Sequence, residues 1–170
     1  VTGQSGLAFR HNNGAYGGTL LAETLGAGCA FLDYDNDGWQ DMLLVNGMDW
    51  PGHKKQRSTL RLYRNNRNGT FSDVTRAAGL DVELYGMGVA VGDVKGDGLF
   101  DVYVTHLASE YNRLREQGPR GRFTDRTSEA GLLRIDWRGT GFGTVLADFD
   151  HDGWPDIAVV NGAVFRRTPT

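Results

Sequence analysis

The chain is 170 residues long with a formal net charge of −3, room for one ordinary domain and no basic block of the kind that holds nucleic acid. Gly is frequent at 25 residues and Pro scarce at 4, with no three-residue period, which excludes collagen and favours a turn-rich β protein. A lone cysteine, Cys29, excludes an internal disulfide and a cysteine-built zinc or iron–sulfur site, and no apolar run nears the ~20 residues of a membrane-spanning helix.

The chain opens on Val1-Thr-Gly-Gln-Ser-Gly-Leu7, the tail of an element that recurs as Thr70-Phe-Ser-Asp-Val-Thr-Arg-Ala-Ala-Gly-Leu80 and Arg122-Phe-Thr-Asp-Arg-Thr-Ser-Glu-Ala-Gly-Leu132. Each copy is followed by one of three segments that align without gaps, Gly26–Asp41, Gly86–Asp101 and Gly141–Asp156. Each begins Gly-x-Gly, reaches its first Asp seven positions later and ends in an apolar run. The spacing predicts strands at Cys29–Leu32 and Met42–Val45, then a hairpin of Leu60–Arg64 and Thr70–Thr75, whose Asn68-Gly69 supplies the positive φ angles of a tight turn. A second hairpin is predicted at Arg113–Glu116 and Arg122–Arg126, and a last strand pair at Thr144–Ala147 and Ile157–Val160. No segment has sustained helical periodicity. Four antiparallel strands per repeat read as a propeller blade, so the fold class is all-β. The 170 residues suffice for two blades and the inner strands of a third, an open arc over 1–170 rather than a closed ring. Open blade edges make self-association one expectation; a longer parent chain, with Val1–Thr2 ending an upstream outer strand, is the other.

The loops that join the first two strands of each repeat carry the chemistry. Asp33, Asp35, Asp37 and Asp41 follow the pattern D-x-D-x-D-G-x-x-D, and Asp148, Asp150, Asp152 and Asp156 repeat it. Calcium takes six to eight oxygens at about 2.3–2.6 Å, and carboxylates at positions 1, 3, 5 and 9 converge on one ion if the chain curls at the Gly. Position 7 adds a backbone carbonyl, from Trp39 or Trp154. Four carboxylates in nine residues repel one another without a counter-ion. Two Ca²⁺ sites are therefore expected. An EF-hand is excluded because position 12 is Leu44 or Val159, in a strand-like run. The middle loop departs from the pattern: with Asp93, Lys95, Asp97 and Asp101, an ammonium stands where a carboxylate belongs, and an internal ion pair is expected in place of a metal.

These units resemble FG-GAP or VCBS repeats, the calcium-loop blades of integrin α-subunits and many secreted bacterial proteins. The Phe-x-Asp-x-Thr…Ala-Gly-Leu connectors, with Ser5-Gly-Leu-Ala-Phe-Arg-His and Leu21-Ala-Glu-Thr-Leu-Gly, are similar in particular to the cartilage acidic protein/UnbV-like group. The resemblance implies a calcium-bound β-propeller, secreted or on the cell surface, with no enzyme activity and with an extracellular protein or glycan as partner.

Nothing else forms a catalytic constellation. The Gly-x-Gly pairs lack the third Gly and the helix of a nucleotide site, and are read as blade-core glycines that permit close packing. His11, His53, His106 and His151 share no ligand spacing and are read as surface or loop residues; Cys29 lies in an apolar strand. His53–Arg57 is read as a solvated excursion, and Trp50, Tyr111 and Trp137 as packing aromatics or sugar-stacking ones. Asn68-Gly-Thr70 is a glycosylation sequon on an exposed turn. The leading function is a calcium-binding structural, adhesive or assembly module. The alternatives are a lectin-like propeller and the propeller part of a polysaccharide lyase.

Overall fold

Apolar and β-branched runs punctuated by Asp-Gly and Asn-Gly turns favour short antiparallel strands. The computed structural model, which describes residues 3–107, 110–133 and 139–164, has ten of them. Strands β1 (Cys29–Leu32), β2 (Asp41–Leu44), β3 (Arg61–Asn65) and β4 (Phe71–Asp73) form one four-stranded antiparallel sheet in chain order. Strands β5 (Gly86–Gly92), β6 (Asp101–His106), β7 (Arg113–Gly118) and β8 (Arg122–Asp125) form a second, and β9 (Thr140–Ala147) pairs with β10 (Asp156–Gly162) in a third. The described residues contain no α-helix, only 3-10 turns at Leu21–Thr24 and Pro119–Gly121. The protein is all-β, an open propeller-like arrangement of two whole blades and a two-stranded third. Val1, Thr2 and Trp137 lie outside the described residues.

Glycines set the spacing between blades. The Gly28 N–H donates to the Met87 carbonyl at 2.6 Å. A side chain on Gly88 would run into the Phe142 carbonyl, and one on Gly92 would come within 3.2 Å of Leu146. The main core fills the junction between the first two blades: Leu32, Leu43 and Leu62 of one meet Val102, Val104 and Phe123 of the other. A smaller cluster around Ala22, Tyr85, Met87 and Leu107 closes the inner end, with Trp50 packed against it and its ring 5.4 Å from that of Tyr85.

The connectors repeat as faithfully as the strands. In Thr75–Leu80 the N–H of Leu80 reaches the Thr75 carbonyl at 3.0 Å, and in Thr127–Leu132 the N–H of Leu132 reaches that of Thr127 at 3.0 Å. The Thr75 and Thr127 hydroxyls accept from the N–H groups of Leu62 and Leu114. Each connector is then fastened to the outer strand of the blade it leads into. Phe71 donates its N–H to the Ser5 carbonyl at 2.7 Å, and Phe123 donates to that of Ala78 at 2.8 Å.

Four expectations need correction. Strand β9 begins at Thr140, four residues earlier than expected, because a bulge at Val160/Asn161 carries the pairing on to Asn161 and Gly162. In the first hairpin the positive φ angles fall on Arg67 and Gly69, not on Asn68. The Asn65 side chain accepts from the Arg67 N–H and bends the chain there. Cys29 lies in β1 but is exposed. His106 is neither a surface nor a loop residue: it ends β6, a strand buried at every position, and is 1% exposed. β6 is covered on both faces, so polar side chains are carried inward with the apolar ones.

Candidate metal centres

Each Asp loop is tied first by its own backbone. The position-1 carboxylate accepts two N–H groups across the turn: Asp33 from Asp37 and Gly38, Asp93 from Asp97 and Gly98, Asp148 from Asp152 and Gly153. The position-5 carboxylates of Asp37, Asp97 and Asp152 accept from position 7, namely Trp39, Leu99 and Trp154. Two residues per loop take the left-handed conformation. Gly38, Gly98 and Gly153 at position 6 do so without a Cβ penalty. Position 4 does so as well, at Asn36, Gly96 and His151. All three are residue types that tolerate the region, Gly most freely and Asn and His more readily than other side chains.

The position-9 Asp is a clamp at the base of the loop. Asp41 is fully buried and accepts from the Tyr34 N–H at 3.0 Å and from the Asn65 N–H of β3 at 2.7 Å. Asp101 repeats this with Val94 at 3.0 Å and Gln117 of β7 at 2.7 Å. Burial raises the pKa of both, against the pull of these amide donors. Asp156 accepts from the Phe149 N–H at 3.1 Å but is exposed. The pattern reading gave Asp41 and Asp156 to the ion alone; the structure also gives them the work of holding loop to strand.

Carboxylate oxygens of Asp33, Asp35 and Asp37 lie within 4.8 Å of one another, and so do those of Asp148, Asp150 and Asp152. Oxygens on opposite sides of a calcium ion stand about 4.6–5.2 Å apart, so both sets match the size of that ion. Burial and then Asp37 raise the pKa of Asp35, as expected of a carboxylate crowded by like charge. A hydrogen bond from Arg67 lowers that of Asp37, with the guanidinium 2.7 Å away. Trp39 and Trp154, at position 7, are 47% and 56% exposed. In the middle loop the Lys95 ammonium sits 2.7 Å from Asp97 and donates to the Gln117 carbonyl at 2.7 Å. That ammonium lowers the pKa of Asp97.

The loops touch along one rim. The Asn36 amide donates to the Gly98 carbonyl at 3.0 Å, and the Trp154 ring lies over Gly96. Gln117 donates to the Tyr34 carbonyl at 2.5 Å, tying the second blade to the first loop. Away from the rim, Lys54 pairs with Glu83 at 2.8 Å and Arg57 with Asp81 at 2.7 Å, while His53 stacks on Tyr16. Asn68 is exposed, with its amide oxygen 2.6 Å from the Thr70 hydroxyl. No helix among the described residues is long and apolar enough to cross a membrane.

A search of the curated proteins finds no match to the chain. Among protein families, the FG-GAP-like repeat matches residues 33–104, from the first Asp loop through the second and into β6. Loop, glycine spacing and four-stranded sheet agree with that match, and the chain carries an FG-GAP-like repeat.

Proposed function

We propose that the chain is a calcium-binding repeat module of the extracellular space, with a structural or adhesive role and no catalysis of its own. One observation carries the reading: the same carboxylate triad converges twice, and in the loop where it does not, a lysine brings the positive charge instead. Asp33, Asp35, Asp37 and the Trp39 carbonyl would hold one ion, with Asp41 beneath them. Asp148, Asp150, Asp152 and the Trp154 carbonyl would hold the other, with Asp156 beneath. Calcium bound there supplies charge neutralisation and stiffness. Modules outside the cell bind it at about 10⁻⁴–10⁻³ M, which suits an extracellular setting. The exposed rim, with Trp39 and Trp154 beside the loops, is the surface offered to an extracellular protein or glycan. Calorimetric titration of chelator-treated protein is expected to count two sites. In thermal melts the same protein should unfold at a temperature that rises with calcium, since an ion bound only by the folded chain stabilises it. Three equivalent sites, or a melt indifferent to calcium, would overturn the reading.

A further inference from the structure

Four asparagines of the chain precede a glycine: Asn13, Asn46, Asn68 and Asn161. Such a pair can react with itself, because without a Cβ the glycine lets its backbone nitrogen approach the asparagine side-chain carbonyl carbon. The reaction needs two groups to be untied, the attacking N–H and the departing NH2.

Three of the four pairs are tied. The Asn13 amide donates to the Glu23 carbonyl, and the Gly14 N–H donates to Asn12 at 2.9 Å. Asn46 is buried, donates to the Arg10 carbonyl at 3.4 Å and accepts from the Asn12 N–H at 2.8 Å. Asn161 and Gly162 lie within β10, paired with Gly141 and Thr140, and the Asn161 amide donates to the Val159 carbonyl at 3.3 Å.

Asn68 is arranged differently. It is exposed at the tip of the first hairpin, and neither its NH2 group nor the Gly69 N–H has an acceptor among the described residues. Counted from Asn65 and Gln117, the corresponding residue of the second hairpin is Arg120. Arg120 is exposed even though Gln117 ties that hairpin to Tyr34 of the first blade, so exposure belongs to the turn itself. What is held at Asn68 is the carbonyl oxygen. It accepts from the Thr70 N–H at 3.0 Å and from the Thr70 hydroxyl at 2.6 Å. The first bond closes a turn that encloses the Gly69 nitrogen and folds the side chain back toward it. The Asn66 amide donates to the Thr70 hydroxyl at 3.0 Å, which leaves the hydroxyl proton for Asn68. The Ser72 hydroxyl donates to Asn66 at 3.0 Å, so the bonds run one way, from Ser72 through Asn66 and Thr70 to Asn68, each polarising the next. Two donors on one carbonyl oxygen stabilise the negative charge that develops there when its carbon is attacked.

We propose that Asn68 is a site of spontaneous deamidation through a cyclic imide, with the Thr70 hydroxyl as the activating donor. The Gly69 nitrogen attacks Asn68 Cγ and gives up its proton to water; the Cγ–Nδ2 bond breaks, and Nδ2 leaves as ammonia after taking a proton. Water then opens the imide at either carbonyl, giving aspartate or isoaspartate. The sum converts an amide and water to a carboxylate and ammonium, with no oxidant and no second protein. The product places a negative charge one residue from Arg67, whose guanidinium holds Asp37 of the first loop at 2.7 Å. The hairpin thus gains a second claimant for that cation as the protein ages. The step itself does not depend on what the loops bind.

The test follows the full chain, produced in a host that adds no sugar to Asn68, through weeks in mildly alkaline, calcium-containing buffer. Peptide mass mapping locates each amide-to-acid conversion, and isoaspartyl methyltransferase labelling identifies the iso form. Asn68 is expected to convert first among the four asparagines, with isoaspartate as the larger product. Thr70→Val keeps the N–H but not the hydroxyl and should slow the conversion by about threefold or more, whereas Thr70→Ser should leave it unchanged. Earlier conversion at Asn13, Asn46 or Asn161, or an undiminished rate in Thr70→Val, would overturn the proposal.

Discussion

His106 is a buried ring in a charged neighbourhood. Neither of its nitrogens meets a hydrogen-bond partner among the described residues. Burial, followed by the Arg113 and Arg115 charges, pushes its pKa down to about 3, against the weaker opposite pulls of the Val104 backbone and of Asp125. A free histidine takes its proton near pH 6.5. As the pH falls below 6.5 the unfolded chain gains a proton that the folded chain refuses until about pH 3. Stability present above pH 6.5 is therefore lost through that window, by about 1.4 kcal/mol per pH unit at the steepest. Denaturant unfolding at pH 7, 6 and 5 should show His106→Phe gaining on the wild-type protein at each step. A constant difference would show that the ring titrates normally.

Asp101 tests the clamp apart from any metal, because its loop carries Lys95. Asp101→Ala strands the Val94 and Gln117 amides and is expected to cost about 2–4 kcal/mol in denaturant unfolding. Asp97→Ala, on the exposed side of the same loop, should leave the unfolding midpoint close to that of the wild-type protein. The pattern exposed these residues but not their division of labour. A carboxylate at position 9 looks like a ligand in a string of letters, and only the strand that arrives from 24 residues away in Asp41, or 16 in Asp101, reveals the second role. His106 was misread for a similar reason. Its strand, Asp101–His106, ends in two polar residues, Thr105 and His106, as a strand running out into solvent does. The neighbouring blades that cover both faces belong to tertiary structure.

At the scale of elements, the Asp loop is a turn before it is a metal site. The middle loop keeps every backbone tie from positions 1, 5 and 9 with lysine at position 3. Position 3 is therefore not needed for the loop to fold, and on the proposed reading it decides which cation the loop holds. Lys95→Asp restores the full carboxylate pattern, and calorimetry should then count one more calcium site than in the wild-type protein. Asp35→Ala, the reverse change in the first loop, should remove one and lower the melting temperature by part of what a chelator takes away. If Lys95→Asp gains nothing, size or strand geometry is the discriminating factor instead. The loops, the Gly-x-Gly strands and the connector turns were all legible because each recurs in register, and repetition separates signal from accident. The strand ends were less legible. β9 starts four residues early, its pairing carried past an extra residue at Phe142, and β4 stops at Asp73, whose side chain accepts from the Thr75 N–H.

Across the whole molecule, the three loops lie at the same end of their sheets and are in contact, first to second through Asn36 and second to third through Trp154. The opposite, inner end is closed by side-chain packing around Tyr85 and Leu107. The two ends of each junction are thus held differently, one by hydrogen bonds and loop packing and one by an apolar cluster. Consider the protein as a mechanical object. A pull that splays the blades apart at the inner end works against dispersion and hydration, which vary little with dissolved ions. A pull at the rim works against hydrogen bonds between loops whose stiffness, on the proposed reading, depends on the ions they hold. In a single-molecule stretching experiment the rim should act as a seam whose rupture force falls when calcium is withdrawn. The middle loop, tied within its own blade by the Lys95 ammonium, keeps its stiffness throughout.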